Sequence, residues 1–117
     1  MITQWWVAFA WTCVLELPVY ALLAGRLFRH WWAIGLVSLL ANAVTHPALW
    51  FLFPRFDPPA LWLLTGEALV VVVEALLLAA VLARARPFAA ALAVAVRCSL
   101  LANTFSVSVG LLFEALA

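Results

Sequence analysis

An apolar run long enough to cross a bilayer occurs four times in 117 residues, and little chain is left over. A helical span needs about 20 mostly apolar residues to cross ~30 Å of hydrocarbon. Runs of that length cover about 4–24, 31–53, 60–83 and 89–113. Short connectors separate them: Gly25-Arg26-Leu27-Phe28-Arg29-His30, then Pro54-Arg55-Phe56-Asp57-Pro58-Pro59, then Arg84-Ala85-Arg86-Pro87. Barrel strands would alternate apolar and polar residues. These runs do not alternate, so the spacing predicts helices. Connectors this short turn sequential helices antiparallel. The expected fold is all-α integral membrane: a four-span up-down-up-down antiparallel helix bundle, with residues 1–117 forming a single transmembrane domain.

Composition agrees with that expectation. The chain is 70% hydrophobic and 9% charged, whereas a soluble domain is about half apolar and a quarter charged. It cannot cover itself with a water-facing surface. A net charge of +1 with no basic run excludes nucleic acid as a partner. The basic residues are all arginine, which, with the alanine and leucine content, suggests a GC-rich bacterial gene. Met1-Ile2-Thr3-Gln4 lacks the positive n-region of a signal peptide, so the first run is expected to stay as a permanent span. Cys13 and Cys98 fall at different expected depths and read as inert buried thiols.

Arginine placement sets an expected orientation. Arg26, Arg29, Arg84 and Arg86 lie in the first and third connectors, while Arg55 in the second is offset by Asp57. The positive-inside rule puts connectors one and three in the cytoplasm and both termini outside a bacterial inner membrane. Trp31, Trp32 and Phe88 then form an inner aromatic belt, and Trp5, Trp50, Phe53 and Trp62 an outer one.

Each run carries polar residues at helical spacing. Thr12, Cys13, Glu16 and Tyr20 make one stripe; Ser38, Asn42, Thr45 and His46 another. Glu67 aligns with Glu74, and Ser99, Asn103, Ser106 and Gly110 make the fourth. These stripes are expected to face the bundle interior. An acidic residue at the centre of a span costs about 2.5 to 3.5 kcal/mol on insertion scales, which marks it as functional by default. Counting ~1.5 Å of rise per residue pairs His46 with Glu67 in an outer layer. The same count pairs Glu16 with Glu74 in an inner layer and sets Asn42 and Asn103 between. Two carboxylates in a low dielectric cannot both ionise, so the inner pair is expected to hold a proton or a cation. Arg97, two positions from Ser99, points away from its stripe and is expected to snorkel to the headgroups. Pro18 and Pro47 are expected to free the carbonyls of Val14 and Ala43, which in transporters can help to coordinate ions.

The leading functional expectation is an intramembrane site binding protons or a cation for transport or an ion-coupled function. Glu16, His46, Glu67 and Glu74 would titrate or ligate, with Asn42 and Asn103 as neutral ligands. Imidazole with carboxylate suits Zn, Mn or Fe, so His46 and Glu67 are the candidate ligands of a divalent metal ion, although the ferritin-like Glu-x-x-His spacing is absent. Two alternatives come from other classes. One is an accessory subunit of a larger membrane complex. The other is an intramembrane enzyme acting on a lipid or lipid-linked substrate, with His46 and Glu67 as its acid–base pair. The expected partners are membrane lipid and a homo-oligomer or larger membrane complex, because four short helices enclose little volume. In size and in the position of Glu16 the chain resembles the small multidrug-resistance exporters. His46, Glu67 and Glu74 have no counterpart in that family.

Overall fold

A computed structural model describes residues 2–117, apart from the side chain of Trp31. The inner-belt position expected for Trp31 therefore lies outside the described residues. The chain forms four long helices: α1 (Ile2–Ala24), α2 (Trp31–Pro47), α3 (Pro59–Leu82) and α4 (Phe88–Leu116), with no strand among the described residues. All four apolar segments are long and apolar enough to cross a membrane. Pro59 occupies the first turn of α3, where its missing N–H costs nothing, and Pro87 immediately precedes α4.

The second apolar run differs from its expected form. A regular helix was expected to continue to about residue 53, but α2 ends at Pro47 and the chain continues as a π-helical turn, Ala48–Leu52. The cause is local. Pro47 has no N–H to give the Ala43 carbonyl. The Ala48 N–H reaches back to Thr45 instead, and Phe53 donates to the Ala48 carbonyl at 2.8 Å, closing the wider turn. Helical length is preserved, but side chains after Pro47 are rotated relative to a straight helix. Pro18 has no such effect: it lies inside an uninterrupted α1.

Each helix packs against its neighbours in sequence, and α1 also packs against α4, which closes a ring of four. One cluster fills the ring beside the first and third connectors, built from Tyr20, Ala24, Ile34, Leu78, Leu82 and the α4 alanines Ala91 and Ala95. Those alanines lie four apart on one face and let α4 approach its neighbours closely. Further along the helices the filling becomes polar: Glu16, Ser38, Asn42, Thr45, His46, Glu74, Ser99, Asn103 and Ser106 are all buried. The outward surface is hydrocarbon, with Leu22 at 83% and Leu52 at 80% exposure. A soluble protein has the reverse arrangement. Arg97 is exposed, on the opposite side of α4 from Ser99 and Asn103, as its helical phase requires. His30, Asp57 and Glu114 are exposed as well. At the far end of α3 the Arg55 guanidinium stacks over the Trp62 ring at 5.0 Å, and Phe53 packs on the same ring at 6.0 Å.

Candidate functional site

Glu16 projects from the middle of α1 and is fully buried. Its Oε2 accepts a hydrogen bond from Asn42 Nδ2 at 2.9 Å, and its Oε1 accepts one from the Ser106 hydroxyl at 2.9 Å. Asn42 spends its second amide hydrogen on the Ser38 carbonyl, one turn back on α2. That bond sets the amide orientation, since Oδ1 there would face two acceptors.

Glu74, in the lower half of α3, is also fully buried. Its Oε2 accepts from Asn103 Nδ2 at 2.6 Å, from the Tyr20 hydroxyl at 3.1 Å and from Ser99 at 3.4 Å, while Oε1 accepts from Thr45 at 3.0 Å. Those contacts take up the acceptor capacity of a carboxyl group. Asn103 gives its other hydrogen to the Ser99 carbonyl at 2.9 Å, as Asn42 does to Ser38.

The two glutamates are thus wired alike, and the sequence contains the reason. Ser38-Leu39-Leu40-Ala41-Asn42 recurs as Ser99-Leu100-Leu101-Ala102-Asn103, with a hydroxyl three residues after each asparagine, Thr45 and Ser106. Each glutamate takes an N–H from the asparagine of its own helical hairpin and a hydroxyl from the other hairpin. The chain is two hairpins, α1–α2 and α3–α4, that carry the same motif and reach into each other. Sequence reasoning assigned Glu16, Asn42, Glu74 and Asn103 to the site, and the structure buries all of them together. It set Thr45, Ser99, Ser106 and Tyr20 on the interior-facing stripes but gave them no place in the site, and the repeated pentapeptide with its following hydroxyl is the signal that could have found the first three.

The expected pairs form differently. Glu16 and Glu74 take neutral donors rather than each other. His46 turns its Nε2 to the Thr12 hydroxyl at 3.4 Å instead of to Glu67, and its Nδ1 is buried with no partner among the described residues. Depth counting put His46 and Glu67 level but ignored azimuth. The imidazole is walled by aromatic rings, Phe9 edge-on at 5.6 Å and Trp50 stacked at 6.1 Å. Glu67 is half-buried and makes no side-chain hydrogen bond among the described residues.

Glu16, His46 and Glu67 nevertheless share one cavity of about 80 Å³, which Asn42, Asn103 and Ser106 also line. Glu74 does not line it. The cavity wall is itself built from equivalent positions: Thr12 and Val70 each precede a glutamate by four residues, and His46 and Val107 each follow an asparagine by four. A larger apolar groove of about 840 Å³ runs between α3 and α4 and touches the cavity at Glu67, Asn103 and Val107. The donor set is thin for a metal. His46 and Glu67 are two ligands where a tetrahedral site takes three or four, and no group of three or more acidic, histidine or cysteine side chains gathers in metal-holding geometry among the described residues.

No family model, curated protein or solved structure matches the chain. The site has to be read from its own geometry.

Proposed function

We propose that the chain is a small polytopic protein of a bacterial inner membrane whose interior binds a proton or a cation and couples that binding to transport. The single observation that carries this reading is the polar cavity ringed by Glu16, His46 and Glu67 inside four otherwise apolar helices. Ionisable groups are expensive in hydrocarbon and mark ion or proton pathways. Glu16 has acceptor capacity left beyond its two hydrogen bonds, and Glu67 keeps all of its own among the described residues.

Several features support the membrane part of the proposal. The outward faces are apolar along their length, and Arg26, Arg29, Arg84 and Arg86 are exposed at the first and third connectors. With those connectors cytoplasmic, both termini lie outside and the helices alternate in direction. The contact of Trp11, early in α1, with Phe113, late in α4, at 5.7 Å fits antiparallel packing of those two helices. The large apolar surface also suits association with further copies or with a membrane complex.

The test is proton-linked flux in liposomes reconstituted with the purified protein. Flux lost in both Glu16→Gln and Glu67→Gln supports the reading, and flux unchanged in both removes it.

A second reading is favoured by one observation, the apolar groove that reaches Glu67 and Asn103. An amphiphile lying in that groove would bring a polar head to Glu67 and, through the cavity, towards His46. On this reading the protein is an enzyme acting on a lipid or lipid-linked substrate, with Glu67 and His46 exchanging protons with it. Turnover of a labelled lipid extract, lost in His46→Gln, would separate it from transport.

A further inference from the structure

The hydroxyls around the two glutamates are short of hydrogens. Thr45 Oγ1 lies 3.0 Å from Glu74 Oε1 and also 3.0 Å from the Ala41 carbonyl. Ser106 Oγ lies 2.9 Å from Glu16 Oε1 and 3.1 Å from the Asn103 carbonyl. Ser99 Oγ is 2.9 Å from the Val71 carbonyl and 3.4 Å from Glu74 Oε2. Each hydroxyl has one hydrogen and stands between two acceptors. If both glutamates were bare carboxylates, one short oxygen–oxygen contact at Thr45 and one at Ser106 would lack a hydrogen, in an interior where an unmade bond costs about 1–3 kcal/mol. Ser99 gives its hydrogen to Val71 and stands too far from Glu74 to add a third.

A hydrogen on the carboxyl removes the deficit. With Oε1 of Glu74 protonated, the carboxyl donates to Thr45, and Thr45 donates to Ala41. With Oε1 of Glu16 protonated, the carboxyl donates to Ser106, and Ser106 donates to Asn103. The Oε2 atoms are held by Asn103 and Asn42, each turned with its N–H towards the carboxyl because its other hydrogen is tied to a helix carbonyl. A metal cation needs lone pairs facing it. Here N–H groups occupy the Oε2 atoms, which keeps a metal off them and leaves Oε1, opposite a hydroxyl that can accept, as the place for a proton.

We infer that Glu16 and Glu74 are a duplicated pair of proton sites, each holding its hydrogen on Oε1 against a hydroxyl of the opposite hairpin, and that only the Glu16 hydrogen exchanges with the cavity. The inference rests on the reading of the interior as an ion site and names the ion. The asymmetry comes from substitutions on a repeated frame. Tyr20, four residues after Glu16, caps Glu74, whereas the equivalent residue four after Glu74 is Leu78, which has nothing to donate to Glu16. Glu16 lines the cavity and Glu74 does not. The other titratable groups of the interior are Cys13 and Tyr20 on α1, His46 on α2, Glu67 on α3 and Cys98 on α4, and Arg97 faces outwards.

Release is a single proton transfer. The Glu16 proton passes from Oε1 to a water molecule in the cavity, which has room for a small cluster of waters. The Ser106 hydrogen then swings from the Asn103 carbonyl to the carboxylate left behind. One proton leaves, one hydrogen bond changes partner, and no other covalent bond is made or broken.

Infrared spectroscopy of the lipid-reconstituted full chain at neutral pH, in a Glu67→Gln background that removes the third carboxyl, tests this directly. The carbonyl stretch of protonated carboxylic acid is expected as two bands. One should disappear in Glu16→Gln, shift in Ser106→Ala and respond quickly to transfer into deuterated water. The other should shift in Thr45→Val and respond slowly, which assigns Glu74 without relying on Glu74→Gln to fold. Absence of any protonated-carboxyl band overturns the inference, as do bands indifferent to both hydroxyl variants. Equal exchange rates overturn the asymmetry. Missing bands with Glu16-dependent flux intact would sink this inference and leave the transport reading standing. Bands as expected with no flux in the otherwise native chain would do the reverse.

Discussion

Glu74 and Glu16 are the same residue type in matched positions, yet they have different work. Glu74 is fully buried, lies off the cavity and is held by Tyr20, Thr45, Ser99 and Asn103, which come from all three other helices. Its chief role is to tie the four helices together. Glu74→Leu keeps the bulk but removes both carboxyl oxygens, which leaves Tyr20 and Asn103 without their acceptor, and the Asn103 amide cannot turn elsewhere without losing Ser99. The expected cost is about 1–3 kcal/mol, read as a lower midpoint when the protein is unfolded by increasing SDS in mixed micelles. Glu16→Leu leaves fewer donors unpartnered and should cost less; an equal or larger loss for Glu16→Leu would contradict this division of roles. At this scale the sequence was legible where a residue type is out of place in an apolar run. That exposed Glu16, Asn42, Glu74 and Asn103. Thr45 and Ser106 can satisfy their hydroxyls on their own helix, and tyrosine is an ordinary membrane-interface aromatic, so type alone did not separate them from packing residues. Repetition of Ser-Leu-Leu-Ala-Asn did carry that information, because two hydroxyls at matched offsets are hard to explain by packing alone.

At the scale of elements, the helices follow from the length and evenness of the apolar runs, and their ends from Gly25, Pro59 and Pro87. The azimuth of a side chain beyond a proline was not legible. A missing donor can be absorbed by a kink, a break or an inserted residue, and the sequence does not say which. Here it is absorbed by the π turn Ala48–Leu52, which carries Leu49 onto Gly66 of α3, where a Cβ would run into the Leu49 side chain. Pro47→Ala restores a donor for the Ala43 carbonyl and should let the turn close into ordinary α-helix. Dropping one residue from the turn rotates everything after it by about 100°. Spin labels at Phe51 and Leu111, both exposed, are expected to change separation in the Pro47→Ala background. An unchanged distance would mean that α2–α3 packing, and not the proline, holds the π turn.

Seen whole, the molecule is a pair of hairpins whose association depends on contacts between them. α1 packs on α4 and α2 on α3, and among the described residues the side-chain hydrogen bonds that cross from one hairpin to the other are Glu16 with Ser106, and Glu74 with Tyr20 and Thr45. In the membrane setting proposed above, hydrocarbon solvates an apolar helix face as well as a neighbouring helix does, so the hairpins would associate through close packing and polar bonds rather than through hydrophobic burial. The polar bonds can therefore decide whether the halves find each other. Their connector, Pro54 to Pro58, is exposed and lies outside both helical hairpins. A chain cut there should consequently reassemble. Residues 1–57 and 58–117, co-expressed with an affinity tag on one, are expected to co-purify at one to one. Ser106→Ala combined with Thr45→Val removes one crossing bond from each glutamate while leaving the asparagine bonds inside each hairpin intact. It should weaken recovery of the untagged half. If recovery is unaffected, the apolar contacts of α1 with α4 and α2 with α3 hold the halves together alone, and the reciprocal wiring serves the proton sites and not assembly.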